Sequence, residues 1–470
     1  MSSKNDIIHF SRAPIRPIGY SVVDKPKWAD VSADSGLNSV PSGKPSSDIF
    51  TIIFMRKLTT LFLSAASIFT SGCGYLRIDP DHFMIRSDVI QSVEQEKVIL
   101  AKGKIGWTDD GKVRVLYVSG TPYERGYQHG ALLREEVRDN LLTMYDNLLD
   151  KFRFEELLDE SYERQRPFIP QEYVDEMHGL AHGARIPLKV VHAIHALPEI
   201  TEWGGKKKLK KVIKDMMEGV YGTSCSNFSA TGSATPDKKM YTVRILDWGL
   251  HKISKLHEYP LITVTVPERG IASANIGWIG FLGAVSGMNA QGITLGEMGY
   301  GDPEGETMRG TPMPFVLRDV LTYSKNLKDV RHQIKSKPGT NSFVFLMSDG
   351  KNGDSELYVR DRNRFEVHKP GVDLKDDKKV FPAIKEVLYG GHYEDRMAKV
   401  LSERRGAITP DVIMKEVIPF IAMPSNFQNV VYEPKGLQIW FNNAAGPKAR
   451  AAEEPYTYFN FKKALDEFSS

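Results

Sequence analysis

Cysteine is almost missing from this chain: there are two in 470 residues. A disulfide-stapled scaffold is therefore excluded. A surplus of one charge is missing too, since 62 basic and 59 acidic residues leave a formal charge of +3. That is too small an imbalance to mark a nucleic-acid-binding surface. No internal apolar run reaches the roughly 20 residues that a bilayer-crossing helix needs. What is present is an ordinary globular mixture, 41% hydrophobic and 26% charged. It is long enough to bury one large core or two smaller ones.

Each cysteine has a distinct setting. Residues 1–54 are polar, rich in Ser, Pro, Asp and Lys, and without periodicity. They read as a disordered or untranslated leader. Met55-Arg56-Lys57 then opens two positive charges, about a dozen mostly apolar residues, and the small residues of Ser71-Gly72-Cys73. This segment, 55–72, resembles a bacterial lipoprotein signal, with Thr70 where an aliphatic residue is more usual. The resemblance implies that Cys73 is acylated and is the first mature residue. The protein would then be lipid-anchored in the cell envelope, on the extracytoplasmic side.

Downstream, Lys112 to Val118 alternates apolar and polar residues, which reads as a strand ended by Ser119-Gly120-Thr121-Pro122. From Tyr123 to about Phe168 the apolar residues recur at three- and four-residue steps, the pattern of helix. A second helix is expected over Gln171 to Ala184, with Gly183 helping to end it. Lys206 to Lys211 is a charge run, read as a solvated helix face. After Cys225 the texture becomes short β-prone runs: Tyr241 to Leu246, Leu261 to Val266, Gly292 to Leu295, Phe343 to Met347 and Glu356 to Val359. Helix returns at Phe315 to Tyr323 and at Arg396 to Ser402. A helical front followed by a β-rich section points to an α+β fold.

Cys225-Ser226-Asn227-Phe228-Ser229-Ala230 and Met240 to Asp247 flank the turn formers Thr235-Pro236-Asp237-Lys238. A hairpin centred between Asp237 and Lys238 would set Asp247 opposite Phe228. Strand parity puts Arg244 and Asp247 on opposite faces, so a bulge or strand end must bring both toward the thiol. The residue types suit nucleophilic chemistry. A guanidinium lowers the cost of a thiolate, and a carboxylate can orient an amine acting as base. If the chain were cut before Cys225, the new α-amine, with a pKa of roughly 7.7–8.0, would be that base.

The run Gly120-Thr121-Pro122-Tyr123-Glu124-Arg125-Gly126-Tyr127-Gln128-His129-Gly130 resembles the upstream motif of the acyl-coenzyme A:6-aminopenicillanic acid acyltransferase family. Cys225-Ser226, Gly232 to Asp237 and Val243 to Trp248 resemble that family's nucleophile segment, with Val243 where Gly is common. These are N-terminal-nucleophile (Ntn) cysteine hydrolases. The resemblance implies a four-layer αββα sandwich in which residues 73–224 form a front section and 225–470 a catalytic section of one domain. It further implies self-cleavage between Ser224 and Cys225 and chemistry at linear amide bonds. Cys225 would be nucleophile and N-terminal amine, and Arg244 with Asp247 would support the thiolate and that amine. Met288-Asn289-Ala290-Gln291-Gly292 matches a structural Asn-x-x-Gly turn. Before Glu394-Asp395-Arg396 the family's Asn-His-type segment, expected to supply an oxyanion-binding Asn, is absent; Asn341 and Asn289 are the alternatives.

Other groups have plainer readings. His129 suits a turn-stabilising hydrogen bond as well as proton transfer. His178 and His182 share a helix face, with His192 and His195 nearby, but the Glu of a His-Glu-x-x-His zinc site is missing. Gly277, Gly280, Gly283 and Gly287 lack a phosphate loop's Lys-Ser/Thr and read as turns and close β packing. The reading thus calls for no cofactor and no metal, a small acylated amide as substrate, the membrane as partner through the lipid anchor, and no nucleic acid. Rivals are an acyltransferase, a noncatalytic surface lipoprotein of the same fold, and a Cys-His protease.

Overall fold

The computed structural model describes residue 90 and residues 92–152, 155–202, 225–252, 254–299, 305–376, 379–391 and 394–469. All belong to the compact unit Arg77–Ser470. The leader, the signal segment, Cys73 and the run Lys206 to Lys211 lie outside the described residues.

The front section begins with α1 (Val93–Ala101), capped by Ser92, and the short edge strand β1 (Lys104–Trp107). β2 (Arg114–Gly120) is the strand expected from Lys112 to Val118, two residues later at each end. The helical stretch from Tyr123 comprises α2 (Pro122–Leu132), α3 (Arg134–Phe152) and α4 (Glu155–Gln165), followed by α5 (Gln171–Ala184) and α6 (Leu188–Glu202). The α5 bounds match the sequence pattern, but Gly183 does not end that helix. Arg185 does, at φ 55°, in the left-handed region.

Gly183 serves a different purpose. Gly126 and Gly130 of α2 face Gly179 and Gly183 of α5, and the two backbones touch. A Cβ on Gly126 would stand 1.9 Å from the Glu176 carbonyl oxygen, and one on Gly179 would stand 2.1 Å from that of Tyr123. Two small-xxx-small ridges thus bring the helices together at a distance no side chain would permit. The rest of the upstream motif is equally structural. Thr121 caps α2 in a reciprocal box with Glu124, and Pro122 takes the first turn. Gln128 clamps both backbone groups of Ser119. Gly179→Ala is expected to lower unfolding free energy by at least the ~1–3 kcal/mol of an overpacked core. Gly446→Ala, whose Cβ would have nothing within 4 Å, should be near neutral; urea denaturation of both checks this.

Besides a two-stranded ribbon of β13 (Leu374–Asp376) and β14 (Lys379–Phe381), the strands form two large sheets. The first runs β1-β2-β5-β6-β7-β8-β10-β11-β12, where β5 is Pro260–Pro267, β6 Ser273–Trp278, β7 Gly287–Asn289, β8 Ile293–Thr294, β10 Phe343–Asp349, β11 Asp354–Arg360 and β12 Phe365–His368. β9 (Glu297–Gly299) also pairs with β10, and β2 with β5 is the parallel pair. The second sheet is antiparallel, in the order β15-β3-β4-β16-β17-β18: Val387–Gly391, Ser226–Ala230, Tyr241–Asp247, Asn426–Glu433, Gln438–Asn443 and Thr457–Asn460.

Three apolar clusters define the layers. Leu116, Leu261 and Leu346 of the first sheet pack with Leu141, Leu180 and Ile194 of the front helices and with Val316 and Val320 of α7 (Met313–Tyr323). That sheet's other face, Val115, Ile262 and Ile276, meets Val430, Tyr432 and Phe441 of the second sheet. The second sheet's outer face, Phe228, Val243 and Ile245, is covered by Met397 and Leu401 of α8 (Glu394–Glu403) and by Ile418 and Ile421. Helix, sheet, sheet, helix: the chain folds as the four-layer αββα sandwich expected of it.

Candidate active site

Cys225 stands immediately ahead of β3, and β4 returns beside it in the register Ser226↔Ile245, Asn227↔Arg244, Phe228↔Val243. Asp247 is therefore not opposite Phe228, as a turn centred at Asp237 would have put it. The reversal begins earlier, in a 3-10 turn at Gly232–Ala234 where Gly232 has φ 58°, and this carries Asp247 past the partner of Ser226. Within the hairpin the β3–β4 register is unbroken, and the irregularity lies on the neighbouring strand. β16 shifts register between Asn426 and Gln428, opposite Asp247 and Leu246.

The consequence is a compact buried group. Arg244 is fully buried; its Nη2 lies 3.7 Å from Cys225 Sγ and 2.7 Å from Glu297 Oε2. Glu297 comes from β9 of the opposite sheet, so the ion pair spans the two layers. Asp247 donates its backbone N–H to the Cys225 sulfur. Its Oδ1 accepts from Met423 N at 3.2 Å and Asn426 Nδ2 at 3.0 Å, while the buried Oδ2 has no hydrogen-bond partner. Burial pushes the Asp247 carboxyl up to about 7. Burial also raises the Cys225 thiol well above its ordinary value, against the attraction of Arg244 and with Glu297 and Asp247 adding to the rise. The thiol is thus a protonated sulfur beside a guanidinium, one positive group short of an easily formed thiolate.

The two asparagines offered as oxyanion donors are committed elsewhere. Asn289 Oδ1 accepts from Gln291 N and Ile293 N, and its Nδ2 donates to the carbonyls of Leu321 and Ser324. Asn341 Nδ2 donates to the Glu199 carbonyl at 2.7 Å. Gly391, where the family's Asn segment was sought, pairs with Ser226; a Cβ there would meet Ser226 Oγ at 2.4 Å.

The histidines sit in the helical layer. His129 Nε2 accepts from Gly280 N at 2.9 Å, and His195 Nε2 accepts from Leu282 N at 2.8 Å. His182 is bonded to Tyr123, and His192 stacks on Tyr162. The glycines between β6 and β7 make close contacts as read: a Cβ on Gly280 (φ 88°) would meet Leu141, and one on Gly283 would meet Pro314.

Sequence reasoning missed Glu297 and Asn426. The signal for each was a polar residue inside an apolar β run, in Ile293 to Met298 and in Phe427 to Tyr432 with its leading Asn. A small apolar void of about 10 Å³, room for roughly one water, lies among Leu141, Met144, Leu197, Trp248, Trp278 and Phe281.

No protein-family profile matches the chain. It is 25% identical to protein dcd1A of Dictyostelium discoideum over 345 residues, covering 65% of this chain and 73% of that one. With dcd1B of the same organism it shares 24% identity over 309 residues, 60% of this chain and 56% of the relative. An uncharacterized protein of Archaeoglobus fulgidus is 25% identical over 278 residues, 53% and 43% respectively. The chain thus spans only about half the length of the second and third relatives.

Similar solved structures include a Caenorhabditis elegans ortholog of N-acylethanolamine-hydrolyzing acid amidase, 14% identical, covering 45% of this chain and 93% of that one, with a TM-score of 0.34. Penicillin V acylase from Agrobacterium tumefaciens is 13% identical over 51% and 87%, with a TM-score of 0.33.

Proposed function

We propose that the chain is an autoprocessed N-terminal-cysteine hydrolase of linear N-acyl amide bonds, of the Ntn kind. The observation that carries this is the orphaned, fully buried Asp247 Oδ2 in a residue whose backbone N–H already holds the Cys225 sulfur. A buried carboxylate oxygen without a partner is costly, and an α-ammonium on Cys225 after cleavage would relieve it. The same positive charge supplies what the thiol lacks.

In this reading the Cys225 amine takes the thiol proton and the sulfur attacks the amide carbonyl. The C–N bond breaks as the amine leaves with that proton. Water, deprotonated by the same α-amine, then attacks the thioester carbon, releasing the acid and restoring the thiol. An amine in place of water would make the protein an acyltransferase. Lipid anchoring at Cys73 and an extracytoplasmic location belong to this proposal on the strength of the signal-like segment, and the mass of the mature N-terminal peptide tests them.

The deciding experiment is purification followed by sequencing of the fragments. Two chains are expected, one beginning Cys-Ser-Asn-Phe, and Cys225→Ala should give one uncut, inactive chain. A wild-type protein that stays whole and is inactive toward acyl amides defeats the reading.

A further inference from the structure

We infer that Asn227 is a further catalytic residue, its side-chain amide donating to the oxyanion that forms when Cys225 attacks a carbonyl. The inference rests on the amide-hydrolase reading and adds a component that reading leaves unsupplied.

A tetrahedral intermediate needs a preorganised donor about 2.7–3.1 Å from its oxygen. The asparagines already considered cannot give one: Asn289, Asn341 and Asn426 all spend their Nδ2 on protein acceptors. Among the described residues, the other buried asparagines are likewise committed: Asn140 donates to Ile279, Asn275 to Gly283 and Asn442 to Ala451, and the Asn429 amide is bonded to Asn426 and Asn442. Asn227 is the exception. It is fully buried, and neither Nδ2 nor Oδ1 has a hydrogen-bond partner.

Its position fits the task. Asn227 lies two residues after Cys225, so the two side chains share one face of the sheet. Its cross-strand partner is Arg244, whose guanidinium reaches the sulfur. Its carboxamide lies against Gly296, where an added Cβ would be 3.0 Å from Asn227 Cγ and Oδ1. Gly296 precedes Glu297, the acid that holds Arg244. The amide therefore lies between the two sheets, in the layer that holds the thiol, guanidinium and Glu297. On its other flank β3 pairs with β15, where Gly390 stands opposite Asn227 and leaves no competing side chain. Unpartnered amides in a core weaken a fold, and strain of this kind concentrates at sites kept for chemistry.

The test uses matured full-length protein, confirmed by a fragment that begins at Cys225, in wild type, Asn227→Ala and Asn227→Ser. Three probes are applied: N-decanoyl 4-nitroanilide for kcat and KM, iodoacetamide for alkylation of Cys225, and decanal. Decanal adds the thiol S–H across its C=O bond; the S–C bond forms and the oxygen bears the charge before it takes the proton. Alkylation makes no oxyanion and serves as the control for an intact thiol.

Asn227→Ala should lose about 10²–10³ in kcat, with KM and the alkylation rate within threefold of wild type, and decanal should bind at least tenfold more weakly. Thermal stability should be unchanged or higher, since an unpaired amide has been removed. Retention of kcat within threefold overturns the assignment while leaving the amide-hydrolase reading standing. Alkylation that falls in step with kcat overturns it as well, since Asn227 would then only position the thiol. Variants of which neither matures would place the residue in processing and also overturn it. A wild type that matures but neither cleaves the anilide nor binds decanal defeats both readings.

Discussion

Arg244→Met is expected to lose about 10³-fold or more in kcat/KM and, in the same protein, about 3–5 kcal/mol of unfolding free energy. The two losses have different origins. Turnover falls because the guanidinium 3.7 Å from the Cys225 sulfur no longer offsets the charge of a thiolate. Stability falls because Glu297 Oε2, 2.7 Å from Arg244 Nη2 and 6% exposed, would be left as an unpaired buried carboxylate. Burial already holds the Glu297 pKa above the usual carboxylate range even with Arg244 present. Without that partner the group must protonate to stay inside, so the destabilisation should shrink as the pH is lowered. Arg244→Met/Glu297→Leu should regain most of the stability and none of the activity, because it replaces a buried pair with two apolar side chains. Urea denaturation with parallel kinetics checks both; a single variant as stable as wild type would remove the ion pair from this account.

The second large effect is on acid stability. His129 and His195 each accept a backbone N–H on the Gly280–Leu282 turn, so each must be neutral to hold it. Burial pushes both down to about 4, with Glu176 opposing that shift and Arg318 reinforcing it. An unfolded imidazole titrates near 6.5. Between pH 6.5 and 4 the unfolded chain therefore takes up protons that the folded chain refuses. The stability present above pH 6.5 is lost as the pH falls through 4, on the order of 3 kcal/mol for each histidine. Asp247 and Glu199 act in the opposite sense. Burial raises both to about 7, so their contribution is present below pH 4 and lost as the pH rises through 7. His129→Gln/His195→Gln should flatten the acid limb of stability against pH while leaving the neutral limb alone. Equal slopes in variant and wild type would show that these imidazoles do not govern acid unfolding.

Much of the fold was legible because it is local. Gln171 to Ala184 reads as helix from its apolar spacing, and α5 has those bounds. Phe343 to Met347 and Glu356 to Val359 read as strands and lie inside β10 and β11. The failures are non-local. Periodicity continues through Tyr123 to Phe168 and the described residues there are helical, yet the helix is interrupted at Leu133, where α2, which crosses α5 at its glycines, gives way to α3. Gly183 looks like a helix stop in one dimension; its lack of a Cβ answers instead to the Tyr127 carbonyl of another helix, 2.4 Å from where that Cβ would be. Asp247 was paired with the wrong residue because a turn placed by composition misses where the chain starts to reverse. Glu297 went unnoticed because nothing near it in sequence needs an acid.

By itself, then, the amino-acid order set the helices and strands, the α+β class, and the thiol with its arginine and aspartate in one short hairpin, since hydrophobic periodicity and turn chemistry act over a few residues; the αββα layering was implied only by the family resemblance. Only the folded chain decided which carboxylate neutralises Arg244, which oxygen of Asp247 is left wanting a partner, and which buried amide is free to donate. Those outcomes depend on desolvation and on contacts between two sheets, and neither has an address in a linear sequence.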